Sequence, residues 1–268
     1  MSLESIIKNI GIDWTNIYLT WGGSFFFECK FDITPDDFLK FAKQDLQNKD
    51  ERGIINAITN AKRAIDCQVD TLLSCIGYKP NTDLPQNVKD YIKKQSSSSN
   101  ETVNITERIK LVSCLEAAPS KLISKIRGIR NLLEHEYSLP TIEQAYEAIE
   151  LATLFIGTIN NVLHTFIDDF EISSEEIKLE EDSRLWKNVM YVTYHDDDNC
   201  FHLGTTDKVK QYKKKPDRIL KTETQYLELI RLNIAIGISG NIEDALYGLI
   251  QTIKCNIPKN KIKVTIII

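Results

Sequence analysis

The chain has 268 residues, of which 42% are hydrophobic and 26% charged, and it carries a net charge of −5. That length suits one large domain or two ordinary ones, each with its own core. The acidic balance excludes a strongly basic nucleic-acid wrapper but leaves room for a local basic cleft, and no run of about eighteen apolar residues marks a membrane span.

Residues Met1 to Lys8 lack the basic start, apolar core and small-residue cleavage site of a secretory signal. Cys29, Cys67, Cys75, Cys114, Cys200 and Cys255 form no C-x-x-C pair and no regular spacing. Both features lead us to expect a cytoplasmic protein with reduced thiols. Cys67 and Cys75 fall within an apolar helical pattern, where packing is the simplest role for a thiol.

The first 33 residues predict a β-hairpin, with aromatic and β-branched runs on either side of Gly22 and Gly23. Two glycines can supply positive φ at both central turn positions. A lone hairpin is marginal in water, so this one is expected to join a sheet built elsewhere. Thr34, Pro35, Asp36 and Asp37 then read as a helix start: a cap, a proline in the first turn, and acids at the positive end of the dipole. A longer apolar helical pattern follows from Glu51 to Ile76 and is closed by Gly77.

Residues 78–105 read as a connector with a short helix from Pro85 to Lys94 and a polar run, Ser96 to Asn100. Helical patterns resume at Thr106–Ala117 and Lys121–Glu136, break at Leu139 and Pro140, and continue over Thr141–Asp169. The expectation is an all-helical bundle over 34–170. Between Asp168 and Asp182 there are eight acids and one lysine, which reads as a solvated linker over 171–182.

Beyond it the period changes. Trp186–Tyr194 and Cys200–Thr205 predict strands around a polar turn, His195 to Asn199. Leu232, Ile234, Ile236 and Ile238 alternate as a strand does, Asn241–Lys254 reads as a capped amphipathic helix, and Lys261–Ile268 as a closing strand. Residues 183–268 are therefore expected to form a small α+β module that the N-terminal hairpin completes, which makes the whole chain α+β. His195, Cys200, His202 and the three intervening aspartates could in principle bind a divalent ion, but a tight acidic turn accounts for them equally, and no metal is assigned. Asp207–Lys221 holds seven basic and two acidic residues around Tyr212. It reads either as a solvated loop or as an RNA-tracking segment in which Lys213, Lys214 and Lys215 contact phosphates.

The densest chemistry lies at Lys125–Pro140, K-I-R-G-I-R-N-L-L-E-H-E-Y-S-L-P. Imidazole titrates near neutrality, and guanidinium offers forked donors to phosphate oxygens. Together they suffice for metal-free RNA cleavage through the ribose 2′-hydroxyl. Residues five apart on a regular helix point about 140° apart, so Arg130 and His135 cannot share a face, whereas Asn131 and His135 can. A simpler reading leaves Arg130 paired with Glu134 on a helix surface.

Arg130, His135 and Tyr137, with Asn131 after the arginine, resemble the R-x4-6-H signature of HEPN domains. The form R-x4-H-x-Y is similar to the toxin of HEPN/minimal-nucleotidyltransferase toxin–antitoxin pairs. Arg52–Leu73 resembles the first long HEPN helix, and the likeness covers roughly residues 34–170. It implies a metal-independent, cofactor-free endoribonuclease acting on RNA in a defence or toxin–antitoxin setting. It also implies a homodimer whose two motifs face a shared cleft. His135 would be the acid or base, Arg130 would hold the scissile phosphate, and Asn131 would orient either. Tyr137 matches the tyrosine that a partner nucleotidyltransferase modifies with adenylate. Lys125 and Arg127 could form a basic approach for RNA. The alternative is a non-catalytic HEPN module that binds nucleotide, RNA or a protein partner.

Overall fold

A computed structural model describes residues 3–4, 11–96, 106–119, 121–122, 125, 128, 138–174, 189–205 and 217–267. The chain is a mixture of helices and a largely antiparallel sheet, divided into two compact units: Phe27–His164, and Met1–Phe26 together with Thr165–Ile268. No described helix is long and apolar enough to cross a membrane.

The first unit contains α1 (Pro35–Leu46), α2 (Glu51–Cys75), α3 (Gln86–Ser96), α4 (Glu107–Cys114) and α5 (Ile142–His164). Thr34 closes a capping box with Asp37, which satisfies two end groups of α1. Asp50 caps α2 by accepting from the Gly53 N–H at 2.6 Å. Gly77, at φ +89°, ends α2 in the left-handed conformation a glycine tolerates. The apolar stripe of α2, including Ala57, Ile58, Ala61, Ile65, Val69 and Leu72, is buried, and α2 packs against α1, α4 and α5. Gln68, also buried, donates to Asn160 on α5 at 2.9 Å. This keeps a buried amide satisfied between two apolar faces. Arg108 on α4 reaches Asp70 on α2 at 2.6 Å and the carbonyls of Tyr78 and Lys79.

The second unit is built on a six-stranded sheet. Its strands are β1 (Ile17–Trp21), β4 (Asp169–Ser173), β5 (Val189–His195), β6 (Cys200–Thr205), β7 (Asp217–Leu220) and β8 (Val264–Ile266), in the order β7-β6-β5-β4-β1-β8. Only the β1–β8 pairing is parallel. A second sheet pairs β2 (Ser24–Phe25) with β3 (Phe166–Ile167). One face of the large sheet buries Ile17, Leu19, Phe170, Ile172, Val192, Tyr194, Phe201, Leu203 and Ile219. Helix α6 (Thr224–Gly237) packs on β3, β6 and β7, and α7 (Ile242–Thr252), capped by Asn241, packs on α6.

Three expectations are corrected. Gly22 and Gly23 do not close a hairpin. Neither takes a positive φ, and each bonds across to the chain where β3 passes into β4: Gly22 N–H to the Asp169 carbonyl, and the Asp168 N–H to the Gly23 carbonyl, both at 3.0 Å. The chain steps from one sheet to the other there, and the Asp169 carboxylate occupies the space a Gly22 side chain would need.

The helical stretch ends at His164, and the start of the acidic run, Asp169–Ser173, is strand β4 between β1 and β5. Phe170 and Ile172 point into the core while Asp169 and Glu171 point the other way, so period 2 outweighs the local charge. The remainder of the linker, 175–182, lies outside the described residues. Leu232–Gly237 is helical, because α6 is buried on all sides from Tyr226 to Ile236 and its sequence lacks an amphipathic period.

Candidate functional site

The motif segment opens after Pro119, whose carbonyl accepts from the Leu122 N–H at 3.0 Å. It closes before Thr141, which exchanges side-chain caps with Gln144: the Thr141 N–H donates to Gln144 Oε1 at 2.8 Å, and the Gln144 N–H to Thr141 Oγ1 at 3.3 Å. Such a box fixes the start of α5. Lys121, Leu122, Lys125 and Gly128 are the described residues between these points, and all are helical. Lys125 pairs with Glu147 on α5 at 3.3 Å, with both side chains mostly exposed. A pair of this kind contributes little to stability, and it partly occupies one cation of the expected basic approach. Arg127, Arg130, Asn131, His135 and Tyr137 lie outside the described residues, as do Lys213, Lys214 and Lys215.

The second cluster sits on the polar face of the large sheet. Register places Asp169, Thr193, His202 and Arg218 in one row across β4, β5, β6 and β7. His195 stacks on His202, with ring centroids 3.8 Å apart and planes tilted by 35°. Arg218 donates to Asp198 at 2.6 Å and to Cys200 Sγ at 3.2 Å. Arg218 thus engages both the Asp198 carboxylate and the Cys200 thiol. No group of three metal-ligating side chains assembles among the described residues.

Burial, then His195 and Arg218, lower the His202 pKa, while Asp198 opposes them. Burial, then Asp168, raises the pKa of Asp169. Arg218 lies in the basic stretch Asp207–Lys221, and strand β7 ties it to the turn between His195 and Cys200. That pairing depends on β6–β7 register, and nothing local in Asp217–Leu220 signals it.

No protein-family model, curated protein or solved structure matches the chain.

Proposed function

We propose that the chain is a metal-independent endoribonuclease of HEPN type, with Arg130 and His135 as its catalytic pair. The observation that carries this reading is the R-x4-H-x-Y motif, set in a unit whose described elements are all helical and bounded by α4 and the capped start of α5.

In this mechanism His135 takes the proton of a ribose 2′-hydroxyl as the oxygen attacks the adjacent phosphorus. The P–O5′ bond then breaks, and the 5′ oxygen leaves with a proton supplied by an imidazolium. Arg130 neutralises the charge that grows on the non-bridging oxygens, and Asn131 orients the imidazole or the phosphate. Lys125 and Arg127 supply counter-charge along the strand, and Lys213, Lys214 and Lys215, in the other unit, are proposed as separate RNA contacts. Since Arg130 and His135 cannot share one face of a regular helix, the site needs either a local distortion or two copies of the segment, and the HEPN resemblance implies the second, a composite site in a homodimer. A toxin–antitoxin or defence setting follows from Tyr137, the position for adenylate transfer by a partner nucleotidyltransferase. A bulky anion there would repel RNA.

The chemistry is tested on the products. Single-stranded RNA incubated with the protein in excess chelator should yield 2′,3′-cyclic phosphate and 5′-hydroxyl ends. A strand carrying a 2′-deoxyribose at the cleaved position should survive. Cleavage of that deoxy strand, or 5′-phosphate products, would contradict the mechanism. RNA binding without cleavage would favour a non-catalytic HEPN module.

A further inference from the structure

The helical unit begins with an extended segment that lies against its helices. From Phe27 to Phe31 exposure alternates, with Phe27, Cys29 and Phe31 half-buried and Glu28 and Lys30 exposed. The Phe27 N–H donates to the Leu163 carbonyl at the end of α5 at 3.2 Å. The inward side chain at the middle of this segment is therefore a thiol, and it meets α2. The Thr71 hydroxyl lies 3.4 Å from Cys29 Sγ and 2.9 Å from the Cys67 carbonyl, one turn earlier on α2. Cys67 Sγ donates to the Ile33 carbonyl at 3.5 Å, farther along the same incoming segment. Two thiols distant in sequence thus meet beside one turn of α2, close enough for Cys29 to act on the Cys67 thiol. Both are free, and both are partly open to solvent.

We propose that Cys29 and Cys67 form a reversible redox staple, oxidised by small disulfides of the glutathione class, that fastens the entry segment of the helical unit to α2. This inference does not depend on the ribonuclease reading. The reaction is a pair of thiol–disulfide exchanges. The Cys29 thiolate attacks one sulfur of the small disulfide, breaks its S–S bond and expels one thiolate, leaving a mixed disulfide on Cys29. Cys67 then gives up its proton and attacks the Cys29 sulfur, expelling the second small thiolate. Overall the two cysteines lose two electrons and two protons, and one small disulfide becomes two thiols.

The order follows from the surroundings. Burial, then the neighbouring Cys29, pushes the Cys67 thiol up to about 12, so Cys67 is a poor first nucleophile. Once closed, the bond would join residues far apart in the sequence and restrict the unfolded chain.

The full-length protein, pre-reduced and then exposed under native conditions to oxidised glutathione, provides the test. Peptide mapping should recover one intramolecular bond, Cys29 to Cys67, with a mass loss of about 2 Da. It should form before Cys75, Cys114, Cys200 or Cys255 reacts. Cys67→Ser should trap glutathione on Cys29, whereas Cys29→Ser should leave Cys67 unmodified. Reduced forms of both variants are compared with wild type by thermal melting, so that a folding defect is not read as lost reactivity. The stapled wild type should melt higher by roughly 5 °C. Both cysteines remaining alkylatable after oxidation would overturn the proposal. So would a lasting mixed disulfide on wild-type Cys29, or an unchanged melting temperature with the bond formed.

Discussion

His202 shows how one side chain acquires its character from strands that are remote in the sequence. Half-burial on the polar face, the ring of His195 and the charge of Arg218 all disfavour its imidazolium. The folded chain therefore binds this proton less readily than the unfolded chain, whose imidazole titrates near the ordinary 6.5. A depressed pKa contributes stability that is present above the unfolded value and is lost as pH falls through the folded one. Because the ring is partly exposed, solvent moderates the effect. The expected outcome is a melting temperature that declines from about pH 6.5 to pH 5, and a shallower decline in His202→Gln. Melts across that range for both proteins check it, and identical slopes would show that His202 is not the group responsible.

At the scale of elements, the legible parts were those whose signals are local. The capping box of α1 and the Asn241 cap of α7 rest on residues three apart, and the β5–β6 hairpin on alternation around one polar turn. Strand β4 was obscured because acids on its polar face dominate a reading by composition. Helix α6 was obscured because burial on every side erases the helical period and leaves an accidental alternation.

What seats α6 is equally non-local. Asn233, wholly buried, accepts from the Ile167 N–H at 2.8 Å and donates to the Ile167 carbonyl at 2.7 Å, as a neighbouring strand would. Gly237 lets the end of that helix lie directly on the Thr165 carbonyl, with no room for a side chain. Asn233→Ala strands a backbone donor and a backbone acceptor in the core. It should cost about 2–4 kcal/mol in denaturant unfolding, and a loss below about 1 kcal/mol would mean that water or a shifted β3 replaces both bonds.

For the molecule as a whole, the candidate site was legible as a motif and not as a geometry. Arg130, Asn131, His135 and Tyr137 are named by their resemblance to the HEPN signature. The Glu147 partner of Lys125 comes from the next helix, and that contact could not be read in advance. On the proposed reading Arg130 and His135 act from different copies, and RNA cleavage by mixed variants measures this directly. Arg130→Ala and His135→Ala, each purified alone and assayed in chelator, should each lose about 10²–10⁴-fold in rate while remaining folded and dimeric. Unfolding the two together and refolding them should produce heterodimers with one intact site of two, restoring about a quarter of wild-type cleavage under two-fold symmetry. His135→Ala cleaving as fast as wild type at matched purity would contradict the assignment.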